Sequence, residues 1–464
     1  MRSAATLDRR SFLGVAGAAA GAVSLVGPSL AQDASPGRRT APGAAKNLIM
    51  LVVDGMSTGA LSLSDMLRTR TIGARSRWLA WMNEPGTRTA LVETTPANGP
   101  LTDSAAGASA WAIGRPVNNG SLSITPEGDA PEPIFLRAKR AGRRLGLVTT
   151  SYLTDATPAA MLCNTKSRSN RDEIAKQMVE RGLDLGVGGG AEDFPPDLMR
   201  ASGVRVARTW EDLRRAVTDT PGRRTLGLIA GDVLPFALDR ENKEPSMRDL
   251  AALSLDALAG SSNGFCLLIE NENVDEAGHA NDAAALAHDM LEVEDALDLL
   301  IEFARGRDDT LLVVTTDHAC GNPGFSSAGT RGDTQLGRLA AATRSFTWIG
   351  EHFRALPKPR QTAESLAGLM GQATGADLDE TEVAFLRRTL ARQRVIPYRG
   401  ADTPTSVMGS ILANHLGVAF TGRHHATDHV VATMMGPGAE ALPATCRNTR
   451  LHHVMASALG VVAG

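Results

Sequence analysis

The chain has 464 residues, of which 43% are hydrophobic and 21% charged, and its formal net charge is −3. That length buries a large core, as one big domain or two ordinary ones. The near-neutral charge and an aromatic content of 4% leave no basis for a nucleic-acid surface or a base-stacking platform.

The chain opens with Arg9-Arg10-Ser11-Phe12-Leu13, a twin-arginine pattern that serves as a receptor-read export address. A weakly apolar Ala/Gly/Val segment follows over residues 14–26, and Ser29-Leu30-Ala31 offers small residues for cleavage after Ala31. That segment is too short and too rich in glycine and alanine to span a bilayer. Residues 1–31 therefore read as a cleaved signal and residues 32–45 as a flexible leader, which predicts a periplasmic or secreted protein without a stable membrane span.

Beyond the leader, apolar runs at residues 48–53, 145–150, 265–269 and 311–316 predict strands. Each is apolar on both faces, as a covered parallel sheet requires. Helical patterns alternate with them, which predicts an α/β fold with a mostly parallel central sheet and helices on both faces. Residues 102–113 begin with Thr102-Asp103-Ser104 and continue as a small-residue helix. Residues 283–305 place Leu286, Met290, Val293, Leu297, Leu300 and Ile301 on one helical stripe, with Asp282 as N-cap and His288 on the exposed side. Residues 362–370 and 380–390 read as two more helices, in a stretch (about 325–415) that is partly an insertion beside the sheet. Cys163, Cys266, Cys320 and Cys446 have no disulfide-framework spacing and read as small apolar packing residues.

Residues that bind divalent metals cluster where these strands end. Asp54 follows the first strand and Asp317-His318 the fourth. Glu270, Asp275 and His279 follow the third, where the sequence reads as a loop opening. Together they predict a multi-metal site at the carboxyl edge of the sheet. Ser104 sits at a helix start, where free N–H groups and the macrodipole favour an anion. It reads either as a nucleophile beside a metal or as an ordinary N-cap. Asp155 and Thr157 suit a hard octahedral cation, or else the turn before Pro158. Arg168 offers the fork that grips a phosphate, or it is a solvated surface charge.

The order Asp54, Asp103-Ser104, Asp155-x-Thr157, Arg168, Glu270, Asp275, His279, Asp317-His318 and a late His425 resembles the alkaline phosphatases. The glycine-rich residues 185–190 and the segment Met435-Gly436-Pro437-Gly438-Ala439 extend the resemblance to nearly the whole mature chain. It implies a three-layer sandwich with an inserted crown-like segment, two Zn²⁺ and one Mg²⁺, and release of inorganic phosphate from phosphate monoesters. Ser104 would be the nucleophile that becomes phosphorylated, and Arg168 the phosphate clamp. Asp54, Asp317 and His318 would hold one zinc, with Asp54 bridging to magnesium. Asp275, His279 and His425 would hold the other zinc. Thr157 and Glu270 would bind magnesium directly, and Asp155 would order its water shell. The alternatives to His425 are its neighbours His424 and His429. The resemblance also implies a homodimer, as many relatives form.

Three positions depart from the pattern. Glu276 stands where relatives carry lysine or histidine, Asn164 replaces a frequent histidine, and so does Cys320. The competing functions are a phosphodiesterase, phosphonate hydrolase or sulfatase of the same fold, and a catalytically silent phosphate- or metal-binding protein. A sulfatase would need proline and arginine shortly after its nucleophile, and the sequence after Ser104 reads Ala-Ala-Gly-Ala.

Overall fold

The sequence Asn47–Val53 carries apolar side chains on both faces, so it is stable as a strand only if both are covered. In the computed structural model all seven of these residues are buried, as β1 at the centre of the sheet. The described residues are 45–461, Asn242 excepted. The expected export signal, and the leader up to residue 44, lie outside them.

The remaining strands follow in chain order: β2 (Thr87–Glu93), β3 (Arg144–Tyr152), β4 (Leu185–Gly189), β5 (Arg205–Ala207), β6 (Thr225–Leu228), β7 (Phe265–Asn271), β8 (Thr310–Thr315), β9 (Ala319–Cys320), β10 (Pro323–Phe325), β11 (Val418–Phe420), β12 (His425–Ala426), β13 (Val430–Met435) and β14 (Thr445–Arg447). Ten of them form one sheet in the order β14-β2-β13-β8-β1-β7-β3-β4-β6-β5. Only β13 runs against the rest, pairing antiparallel with both β2 and β8. The four long strands read from the sequence are thus adjacent, as β8-β1-β7-β3. Their in-step registers (Val52 opposite both Glu270 and Thr315, Thr149 opposite Glu270) bring their carboxyl ends level.

Alternation along β1 sends Ile49, Leu51 and Val53 into one core and Leu48, Met50 and Val52 into the other. Helices Thr58–Ile72, Met247–Leu258 and Ala283–Ala304 cover the first face. Helices Ser104–Ile113, Ile134–Arg140 and Thr449–Leu459 cover the second. The result is the three-layer α/β arrangement expected from the sequence. Residues 329–416 supply five more helices, and their buried Leu339, Met370, Leu386 and Leu412 join the first core.

Two local expectations are corrected. The segment after β7 is not an open loop but the helix Asn273–Ala280. Acidic Asp275 and Glu276 in its first turn, His279 in its last and a left-handed Asn281 cap at φ 57° favour that helix. His288 is not solvent-facing; half-buried, it bonds through Nε2 to the Leu339 carbonyl at 3.2 Å and so ties the long helix to the helices beyond β10.

Candidate active site

Every residue named from the sequence as a metal ligand or nucleophile lies at the carboxyl edge of β8-β1-β7-β3 or on segments packed against it. Asp54 follows β1 directly, its N–H donating to the Asn271 carbonyl at 3.0 Å. The chain then turns at Gly55, where φ is +69° and a Cβ would lie 2.4 Å from Asp275 Oδ1. Glycine there satisfies both the left-handed backbone and the close approach.

Asp103, not Ser104, caps the helix Ser104–Ile113. Its Oδ1 accepts from Ala106 N at 2.9 Å and its Oδ2 from Gly120 N at 2.8 Å. The Ser104 hydroxyl is therefore not consumed in capping, and its Oγ lies 3.3 Å from His318 Nε2. The helix comes this close because Gly107 rests on Asp317, where a Cβ would be 3.0 Å from the Asp317 Cβ.

His318 is fully buried, with Nε2 at 3.1 Å from Asp317 Oδ2 and 3.6 Å from Asp54 Oδ1. His425 reaches it through the short β12–β9 pairing, in which His425 opposes Cys320. The His425 ring stacks on His318 at 3.5 Å, and His424 and His429 remain exposed. Asp275 and His279 share a face of their helix, one turn apart, with His279 Nε2 at 3.1 Å from Asp275 Oδ2. Thr157 Oγ1 is 3.5 Å from Asp54 Oδ2, and Thr149 donates to Glu270 at 2.6 Å.

Among the described residues these side chains form four groups whose ligand atoms lie within 4.8 Å of one another: Asp54, Asp317 and His318; Asp275, His318 and His425; Asp275, His279 and Cys320; and Asp54, Glu270 and Glu272. Asp54 Oδ1, Asp275 Oδ1, Asp317 Oδ2 and His318 Nδ1 are all buried without a hydrogen-bond partner. Buried acceptors that find no donor fit divalent cations.

The electrostatics agree. Burial, and then the charges of Asp317, Glu272, Asp275 and Glu270, push Asp54 well above the carboxylate range. Burial and Asp155 raise Glu270 to about 8. Burial opposes ionisation of Asp275 too, but the His279 hydrogen bond and the neighbouring imidazoles outweigh it and hold that carboxyl below its ordinary value. Burial disfavours a charged His279, yet the bond to Asp275 lifts it to about 9.

Arg168 sits at the mouth, reaching Asp155 Oδ1 at 2.8 Å and lying 3.8 Å from Asp103 Oδ2. Asp155 spends its oxygens on Arg168, Ala156 N and Ser151 Oγ, and it belongs to none of the four groups. It is placed to aim the guanidinium. Asn164 is structural, donating to the Ser123 and Pro131 carbonyls. Glu276 is exposed beside the cluster.

Sequence reasoning missed two residues of the cluster. Cys320 reads as packing until β12 brings His425 opposite it; burial and the nearby Asp275 keep it a thiol. Glu272 falls one residue past β7, where strand alternation no longer tells which way a side chain points.

Comparison with known proteins agrees with this geometry. The profile of the family described as "Alkaline phosphatase" matches residues 45–461. The chain is 26% identical over 431 residues to "Alkaline phosphatase 3" of Bacillus subtilis, covering 88% of this chain and 87% of that one. Its fold superposes on the alkaline phosphatase of Thermus thermophilus with a TM-score of 0.82 at 27% identity, covering 91% of this chain and 93% of that chain. A cold-active alkaline phosphatase from Shewanella sp. gives 0.76 at 27% identity, covering 89% and 99%. The chain belongs to the alkaline phosphatase family, and membership implies that it binds divalent metal.

Proposed function

We propose that this protein hydrolyses phosphate monoesters in two displacements, through a phosphorylated Ser104. The observation that carries the reading is the contact of Ser104 Oγ with His318 Nε2, a member of the buried ligand cluster, with the Arg168 guanidinium 3.8 Å from the adjacent Asp103.

Asp54, Asp317 and His318 would hold one zinc, Asp275, His279 and His425 a second, and Asp54, Thr157 and Glu270 a magnesium. Such ions, when bound, neutralise phosphate charge and stabilise the entering and leaving oxygens of an in-line displacement. The chain's own residues do the positioning. Ser104 opens the helix Ser104–Ile113, whose macrodipole favours phosphate oxygens at that end although Asp103 already caps the Ala106 N–H. Arg168, steered by Asp155, binds two non-bridging oxygens through its planar fork. In the first step Ser104 Oγ bonds to phosphorus as the alcohol's oxygen leaves with a proton. In the second, water attacks the phosphoserine, Ser104 Oγ departs, and inorganic phosphate is released.

The test is turnover of p-nitrophenyl phosphate against bis(p-nitrophenyl) phosphate and p-nitrophenyl sulfate, with and without a chelator. The monoester should be strongly preferred and its hydrolysis lost on chelation. A preference for the diester or the sulfate, or activity that survives metal removal, would overturn the proposal.

A further inference from the structure

We propose that Glu272 is a direct ligand of the hard divalent cation held at the β1–β7 edge, so that this site carries Asp54, Glu270 and a third carboxylate. The inference rests on the reading above, in which Asp54 and Glu270 hold such a cation, and adds a residue to it.

Glu272 stands between the end of β7 and the helix Asn273–Ala280. Its backbone is helical (φ −83°, ψ −26°), and its side chain makes no capping hydrogen bond. The main chain is pinned instead, with Glu272 N donating to Thr150 Oγ1 at 2.9 Å. This turn out of strand geometry points the carboxylate back toward the sheet edge. Its oxygen comes within 4.8 Å of the ligand atoms of Asp54 and Glu270.

Glu272 is only 9% exposed. The charged groups that act most strongly on it are Asp155, Asp275, Glu270 and Glu276, all acidic. Asp54 Oδ1, in the same group, is buried without a hydrogen-bond partner. Burying one carboxylate without a counter-charge is strongly unfavourable, and three together repel one another. A cation shared by all three removes both penalties.

Three carboxylates with the nearby Thr157 hydroxyl form an all-oxygen ligand set, suited to Mg²⁺, Mn²⁺ or Ca²⁺ rather than to a soft ion. The added carboxylate takes a place that water would otherwise fill. Mg²⁺ gives up water reluctantly, whereas larger cations accept more protein oxygens. The site should therefore retain Mn²⁺ more tightly relative to Mg²⁺ than one built on Asp54 and Glu270 alone.

The experiment is titration of the zinc-loaded full chain with Mn²⁺, followed by the electron paramagnetic resonance of the free ion, which yields affinity without turnover. Glu272→Gln should weaken Mn²⁺ binding by about tenfold or more. Glu272→Asp keeps the charge but shortens the reach, so it should also weaken binding. Glu276→Gln, which removes an exposed charge one turn further on, should change it by less than about threefold. The inference is overturned if Glu272→Gln binds Mn²⁺ as the parent does, if Glu272→Asp is unimpaired, or if Glu276→Gln has an equal effect. Zinc content and the melting curve of each variant separate these results from misfolding. Failure of the functional reading itself would look different: normal Mn²⁺ binding with no monoester turnover.

Discussion

The Nε2 atoms of His279 and His425 stand 3.1 Å apart, and each ring has its Nδ1 against a backbone carbonyl, that of Arg423 at 2.6 Å and of Thr102 at 2.9 Å. Those carbonyls accept, so both Nδ1 atoms carry protons and both Nε2 lone pairs face each other. Two neutral imidazoles cannot bond in that way. Without metal the contact needs a proton, and His279, lifted to about 9, holds it beside Asp275.

Metal must displace that proton. Below pH 9 the apparent affinity for Zn²⁺ should rise by about tenfold per pH unit, with about one proton released per ion at this site. Calorimetric titration in buffers of different ionisation enthalpy measures the proton count. Binding that is independent of pH between 6 and 8 would contradict the proposed pairing.

The metal-free protein should lose stability as pH rises. Glu270 is lifted from an ordinary 4.5 to about 8 and His279 from 6.5 to about 9, so the folded state binds more protons than the unfolded across this window. By linkage, stability from both groups is complete below their unfolded values and falls through their folded ones. The depressed Asp275 acts oppositely but only on the acid side of its ordinary 3.8. In chelator the melting temperature should be lower at pH 9 than at pH 6. Saturating metal should cancel the fall and add about 2.7 kcal/mol at a hundredfold excess over Kd. Scanning calorimetry at both pH values checks this.

Arg168→Ala should raise KM by about tenfold or more and lower kcat less, because the ground-state phosphate is already charged when the fork grips it. Arg168→Lys should restore only part of the loss, having no planar fork. Steady-state kinetics decides. A large fall in kcat with unchanged KM would place Arg168 elsewhere in the cycle.

Gly55→Ala should destabilise the fold by about 1–3 kcal/mol, from a strained backbone and a Cβ forced onto Asp275 at 2.4 Å. It should also lower metal content, since Asp275 would have to move. Denaturant unfolding and elemental analysis test the two effects together.

Much of this site was legible in the sequence because its residues follow strands apolar on both faces. Asp54 and Asp317-His318 needed only the end of a run to be located, and adjacency of β8, β1, β7 and β3 then brings them together. Ser104 was legible as a helix start, but that Asp103 takes the cap depends on one hydrogen bond. The helix Asn273–Ala280 was missed because its eight residues are too few and too polar to show an apolar stripe. Choosing His425 from three nearby histidines came from a resemblance; physically it depends on the two-residue β12–β9 pairing, which no local pattern announces. Glu272 and Cys320 were overlooked for the same reason, since their roles are set by what packs opposite them.

The most direct test is acid quenching of the metal-loaded protein during turnover of a phosphate monoester, followed by peptide mass spectrometry. One added phosphoryl group on Ser104, absent from Ser104→Ala together with roughly 10³-fold or more of the activity, is the predicted result. Full turnover by Ser104→Ala, or a phosphoryl group carried on another residue, would contradict it.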